Sequence, residues 1–272
     1  MCTIERDFFA HFKELTFSTS GPRSWTRYES FAFARPYVSV PLAWSELHRA
    51  AAHLPLCLVD TGICHRLEAL LSFGAKGQSV VDQSGQWRAG YVPALLRMHP
   101  FAPDLSQRAT FAPGYLENSP NLLTASGGLE LWSATGAPAE DVIPVTDVMR
   151  DFHADYFRLQ DAAQSLLKGK VLRPLRGYAS LDDPMFDGKY ILNRSALYAL
   201  SAPRMLKLMQ TGGLEVAFAQ LISMQRLSVA PSAPAPTQTG KPEATAETFL
   251  SAMATAFDAE ASEIQYDEMD RT

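Results

Sequence analysis

Apolar positions recur at two different periods along this chain. Up to about residue 145 they fall in short runs punctuated by turn residues. Val38-Ser39-Val40 reads as a short strand and Leu56 to Val59 as a buried one. Leu67 to Phe73, Ser79 to Asp82 and Leu129 to Trp132 read the same way. The turn Asp82-Gln83-Ser84-Gly85 leads into Gln86 to Arg88 and predicts a hairpin, and Ser133-Ala134-Thr135-Gly136 is a second turn of similar chemistry. Among these runs sits one helix, Ala43 to Leu54, with the apolar stripe Leu47, Ala50, Ala51 and Leu54. Pro41 is placed as its first residue, and Pro55 ends it.

Beyond residue 145 the period becomes helical. Thr146 is placed to cap a helix that runs to Gly169, with Val148, Met149, Phe152, Tyr156, Leu159, Ala163, Leu166 and Leu167 as its apolar positions. Arg173 to Gly188 reads as a loop, rich in Pro, Gly and Asp. Three helices follow: Ala196 to Leu200 capped by Ser195, Ala202 to Thr211, and Leu214 to Leu227. The last carries Leu214, Phe218, Leu221, Ile222 and Gln225 on one side. Strands then helices, with no sustained alternation, predict an α+β fold: a small, mainly antiparallel sheet from 38–145 packed by helices from 146–228. No internal repeat of useful length is visible.

The division expected along the chain is an N-terminal arm (1–36), a globular domain (37–228), a Pro/Ala/Thr linker (229–244) and an acidic tail (245–272). In that tail Phe249, Leu250, Met253 and Phe257 fall on one helical face. The chain has 272 residues, enough for a substantial core, and its 47% hydrophobic and 19% charged residues are ordinary globular values. A net charge of −5 argues against broad nucleic-acid binding. No apolar run reaches the roughly 20 residues of a membrane helix. Glu5 and Asp7 stand where a signal peptide is positive, which predicts a cytoplasmic protein, with export by a signal-independent route left open.

Three cysteines, Cys2, Cys57 and Cys64, do not make a disulfide framework, and Cys57 reads as a buried thiol. Cys57, Cys64, His65 and His53 lack the paired spacing of a metal site, and His48 with His53 is five apart on a helix; no metal is expected. There is no Gly-x-Ser-x-Gly elbow, no dinucleotide or phosphate loop, and no calcium-loop spacing around Asp182, Asp183 and Asp187. No cofactor is expected, and catalytic residues are left unassigned.

What stands out is Gly85 to Phe101. Trp87 and Tyr91 offer stacking area, and Arg88, Arg97 and His99 offer directed donors, which makes these five the candidate binding residues. A packing role competes: Gly90 allows a tight bend, Pro93 starts a helical turn from Ala94 to Arg97, and His99 leaves the helical region ahead of Pro100. Trp87, Tyr91 and Phe101 then fix the corner to the core.

This segment and its surroundings resemble the SapC-like family of bacterial proteins. The matching pieces are Leu54 to Leu58, Ser79 to Asp82, Gly85-Gln86-Trp87, Tyr91 to Phe101, Gly128 to Gly136 and Gly213 to Met224, in family order over about 37–228. The family's paired arginine is here Arg97-Met98, its tyrosine is His99, and its Asn-Leu-Phe is Gln78-Ser79-Val80. The family takes its name from genes associated with bacterial surface layers, and its members tend to sit beside halogenase-like, hydroxylase-like and outer-membrane receptor genes. The resemblance brings no catalytic residue set. Taken with the missing catalytic motif, the aromatic and arginine corner and the tethered tail, it points to a non-catalytic accessory or interaction protein of a surface-layer, secretion or peptide-modifying system, with a protein partner expected through the 245–272 tail. The alternatives are an enzyme or enzyme subunit acting on a peptide or small molecule beside a halogenase-like or hydroxylase-like partner, and an export substrate whose tail is the signal. Oligomeric state is left open.

Overall fold

The computed structural model describes residues 8–9, 11–17, 24–62, 64–73, 78–123, 127–178 and 181–228. The linker, the acidic tail with its Phe249–Phe257 stripe, Cys2 and the Gly74–Gly77 stretch lie outside them. Thirteen short strands and six helices follow one another. β1 (Phe12–Glu14), β2 (Ser24–Trp25) and β3 (Ser39–Pro41) precede α1 (Leu47–His53). β4 (Leu56–Asp60), β5 (His65–Leu70), β6 (Ser72–Phe73) and β7 (Gln78–Ser79) lead to α2 (Ala94–Arg97). β8 (Phe101–Pro103), β9 (Pro113–Leu116), β10 (Leu122–Leu123) and β11 (Leu129–Glu130) lead to α3 (Ile143–Lys168). β12 (Leu172–Pro174) and β13 (Lys189–Leu192) are followed by α4 (Arg194–Tyr198), α5 (Ala202–Gln210) and α6 (Gly213–Ser223).

The fold is α+β, and the strand pairings in its four sheets are antiparallel. The largest sheet has the order β12-β13-β4-β5-β3. Two of its strands come from the part of the chain expected to be helix and loop. Lys189–Leu192 is short, and its pattern was hidden beside the Gly- and Asp-rich segment before it. Residues 1–36 are not a loose arm where they are described. β1 pairs with β9, β2 lies between β10 and β11, and Phe8, Leu15, Trp25 and Ala34 are buried in the core.

Helix starts also differ from expectation. Pro41 ends β3, and a 3₁₀ turn, Trp44–Glu46, leads into α1. Its stripe of Leu47, Ala50, Ala51 and Leu54 is buried as the spacing predicts. The long helix starts at Ile143 with Pro144 in its first turn, and Thr146 sits inside it, its hydroxyl donating back to Val142 O. Asn193, not Ser195, caps α4 by accepting from Ala196 N.

A repeat hidden in the sequence is plain in the backbone. In the first hairpin Val81 bridges Trp87, Asp82 N donates to Gln86 O, Arg88 N to Val80 O and Gly85 N to Asp82 O. Fifty-one residues on, Trp132 bridges Pro138, Ser133 N donates to Ala137 O, Ala139 N to Leu131 O and Gly136 N to Ser133 O. Gly85 and Gly136 share a left-handed φ, +84° and +79°. Gly85, Pro93, Met98 and Phe101 recur as Gly136, Pro144, Met149 and Phe152 at the same spacing. The copies part where Pro100 faces Asp151. Proline ends the first helix, while aspartate lets the second continue to Lys168.

On α6 the side that carries Phe218 and Ile222 is not the buried one. Its inner side is Gly213, Val216, Ala217, Ala219, Gln220 and Ser223, while Phe218 and Ile222 stand in solvent. Small residues let the helix approach α1 and α3 closely; a Cβ on Gly213 would overlap the Ser165 hydroxyl. The large side chains are thereby turned outward. Gln220 is fully buried where β4 and β13 part. Its side-chain oxygen accepts from Leu192 N at 2.8 Å, and its amide donates to Leu56 O and Tyr190 O, both at 3.2 Å. Ser223 Oγ accepts from Leu56 N at 3.0 Å alongside. One side chain thus stands in for a missing stretch of ladder. Gln220→Leu leaves the buried Leu192 N and Leu56 O without their partner and is expected to lower stability by about 2–4 kcal/mol, read from urea unfolding. The same change at exposed Gln210 is expected to move it by less than about 0.5 kcal/mol.

Candidate functional site

The Gly85–Phe101 segment begins at a turn built around Asp82. Its carboxylate accepts from Ser84 N, Ser84 Oγ and Gln86 N and pairs with the Arg88 guanidinium. These donors, the Ser84 hydroxyl foremost, hold the Asp82 carboxyl far below the usual range. Arg35 donates to the carbonyls of Asp82 and Gln83 and ties the turn to the 3₁₀ turn Phe31–Ala34. Trp87 is 5% exposed, packs on Phe31 at 5.3 Å and donates its indole N–H to Tyr91 O at 3.0 Å. Gly90 lies in a bend, as expected, and also serves close approach: a Cβ there would run into the His53 ring.

At the centre lies a residue the sequence reading did not single out. Glu46 is 1% exposed. One oxygen accepts from Ala43 N at 3.0 Å; the other accepts from Tyr91 Oη at 2.9 Å and Ala94 N at 2.8 Å. Arg97 donates to Tyr91 Oη at 3.3 Å and lies over the same ring. Burial raises the Glu46 pKa, and the two backbone donors, the Arg97 charge and the Tyr91 hydroxyl pull it back. The available signal was a glutamate three residues beyond Ala43, the geometry of a capping box without its usual Ser or Thr.

His99 is engaged elsewhere in the corner. It is 6% exposed, stacks on Phe33 with ring centres 3.7 Å apart, and lies 2.8 Å from Ser119 Oγ through Nε2. Burial pushes its pKa down to about 4. Tyr28 packs against Phe31, Phe33 and His99, and burial pushes its hydroxyl up to about 12 against the pull of Arg97. So Trp87, Tyr91 and Arg97 converge with Glu46, while Arg88 turns to Asp82 and His99 to Phe33 and Ser119. The aromatic wall behind them comes from residues 28–33.

Two further groupings were not foreseen. On the five-stranded sheet Ser39 Oγ donates to Glu68, Lys189 Nζ donates to Ser39 Oγ at 3.1 Å, and Arg66 pairs with Glu68. Cys57, opposite Glu68 in the register, has its thiol pushed up to about 12 by burial, which makes it inert. The other grouping is a cleft of about 220 Å³ on the C-terminal helices, lined by Arg173, Tyr178, Arg194, Gln220, Leu221 and Met224 among others. Tyr198, Leu206, Met209, Phe218 and Ile222 are exposed on α4–α6. The spacing of Phe218 and Ile222 was legible in the sequence, but the side they face was not. Among the described residues no three His, Cys, Asp or Glu side chains converge as metal ligands, and no helix is long and apolar enough to cross a membrane.

Glu46→Ala strips three buried donors of their acceptor and is expected to cost about 3–5 kcal/mol, against about 1–2 for Tyr91→Phe, both by urea unfolding. His99 gives a pH signature. Its folded pKa lies below the unfolded value of 6.5, so its contribution is complete above 6.5 and is lost as pH falls towards 4. His99→Gln is expected to remove up to about 3 kcal/mol of acid sensitivity across that window, seen as the difference between parent and variant stability curves.

No curated protein and no solved structure matches the chain. The family model of SapC matches residues 22–229, from the strand that carries Trp25, through the Glu46–Tyr91–Arg97 corner, to the last turn after α6. That span takes in both hairpins and all six helices, and on it the chain belongs to the SapC family.

Proposed function

We propose that this protein is a non-catalytic accessory protein that binds a protein partner, in a bacterial surface-layer, secretion or peptide-modifying system of the kind the SapC-like resemblance implies. The observation that carries the reading is the outer face of α4–α6. Seven large apolar side chains are exposed among the described residues, and five of them, Tyr198, Leu206, Met209, Phe218 and Ile222, lie there. Scattered singly they would mean little; concentrated on one set of helices they mark a docking face. Arg194, Arg204 and Lys207, exposed on α4 and α5, suit an acidic partner. The Glu46 corner supports the same reading from the other side: Tyr91, which a substrate would have to recruit, donates to Glu46 and accepts from Arg97.

Phe218→Asp and Ile222→Asp test this, because both side chains are exposed and the fold does not depend on them. Retention of the partner that the full-length protein captures in its source bacterium is expected to fall at least about tenfold, with the urea midpoint unchanged. Undiminished retention would remove the face from the proposal. Capture of no specific protein by the parent chain would remove the proposal itself.

A further inference from the structure

The same face has a second property, its charge. Residues 193–228 carry four cations, Arg194, Arg204, Lys207 and Arg226, and one acid, Glu215, in a chain whose net charge is −5. Arg173 adds a fifth cation at the cleft mouth. Glu215 is paired with His48 on the α1 side. The segment that carries the large exposed apolar groups is therefore net positive.

The chain itself holds a segment of matching chemistry. Residues 245–272 contain seven acids (Glu247, Asp258, Glu260, Glu263, Asp267, Glu268 and Asp270) against the single cation Arg271. Within them Phe249, Leu250, Met253 and Phe257 repeat at helical spacing. The described chain ends at Ser228, four residues past Met224, which lines the cleft. Twenty residues, 229–248, separate that point from Phe249. A Pro-rich tether of that length reaches roughly 60 Å fully extended and averages about 25 Å if flexible. α5 is nine residues, about 14 Å long. Reach is no obstacle, and a tether of this kind holds its cargo at an effective concentration of order 1 mM.

We propose that residues 245–272 are the resting occupant of the α4–α6 face, docked in cis. Phe249, Leu250, Met253 and Phe257 cover Leu206, Met209, Phe218 and Ile222, and the acidic stretch beyond them lies along Arg173 and Arg194. A partner that uses this face must displace the tail, so the tail sets the threshold for binding. The proposal rests on reading α4–α6 as a docking surface but requires no partner to be known.

The test is photocrosslinking within the full-length chain, with p-benzoylphenylalanine at Phe257 and, separately, at Met253. Irradiated at low concentration, the monomer band is expected to yield crosslinks to peptides spanning 202–227. Ile222→Asp or about 0.5 M salt is expected to reduce them at least about fivefold. Amide exchange in α5 and α6 is expected to quicken in the full-length Leu250→Asp/Phe257→Asp double variant. Crosslinks found only in dimers would assign the face to a second copy's tail and overturn docking in cis. Crosslinks to other surfaces, or none with unchanged exchange, would overturn it altogether. If crosslinking succeeds while partner capture fails, the tail contact stands and the partner reading falls.

Discussion

The Glu46 carboxylate is buried beyond the reach of water, and the corner that carries the family's signature is organised around keeping it satisfied. An isolated buried carboxylate is among the costliest groups a fold can hold. Here it takes an N–H from the turn that starts α1, an N–H from the start of α2 and the hydroxyl of Tyr91, with the Arg97 charge close by. The first of those donors lies about fifty residues before the other two in sequence. Each is where it must be only if α1 and α2 are both in place, so one side chain makes two short helices mutually dependent. α2 has four residues and would not hold its shape alone.

The repeated hairpin explains why the chain can build two different helices from one plan. Each copy turns at a left-handed glycine, passes a proline and enters a helix; a buried Met and Phe follow at the same spacing, Met98 and Phe101 just past α2 and Met149 and Phe152 within α3. Aromatic residues from the N-terminal part cover each turn. Phe31 packs on Trp87, and Phe17 packs on Trp132 and faces Gly136. That part of the chain is therefore a shared lid over both copies, which is why its strands pair with β9, β10 and β11. Pro100 against Asp151 then decides that the first helix stops and the second becomes the longest element of the fold.

α6 links the core to the surface reading. Because Gln220 must reach the gap between β4 and β13, and because Gly213 and Ala217 must let α6 close on its neighbours, the helix has one acceptable rotation. That rotation leaves Phe218 and Ile222 outside. The apolar face on which the functional proposal stands is thus a consequence of how the interior is joined.

Much of this was legible in local pattern. The antiparallel strands at Val38–Val40 and Leu56–Val59, the α1 stripe, the long helix, the Asp82–Gly85 turn and the turn after Pro93 all follow from nearest-neighbour constraints: side-chain period, fixed proline φ and glycine at positive φ. The family signature was legible for the same reason, being a linear string. What only the tertiary structure decided depends on which distant group lies opposite. Glu46 is one glutamate among many until Tyr91 and Ala94 are seen beside it. The β12–β13 pair is a loop until β4 offers it a ladder. The hairpin repeat keeps its backbone hydrogen bonds but retains only Gly, Pro, Met and Phe at matched positions, too sparse a pattern to stand out before the bonds are seen. And α6, apolar on one side and small on the other, could bury either; the buried amide of Gln220 settled the choice, because an unpaired backbone group inside costs more than a phenylalanine outside.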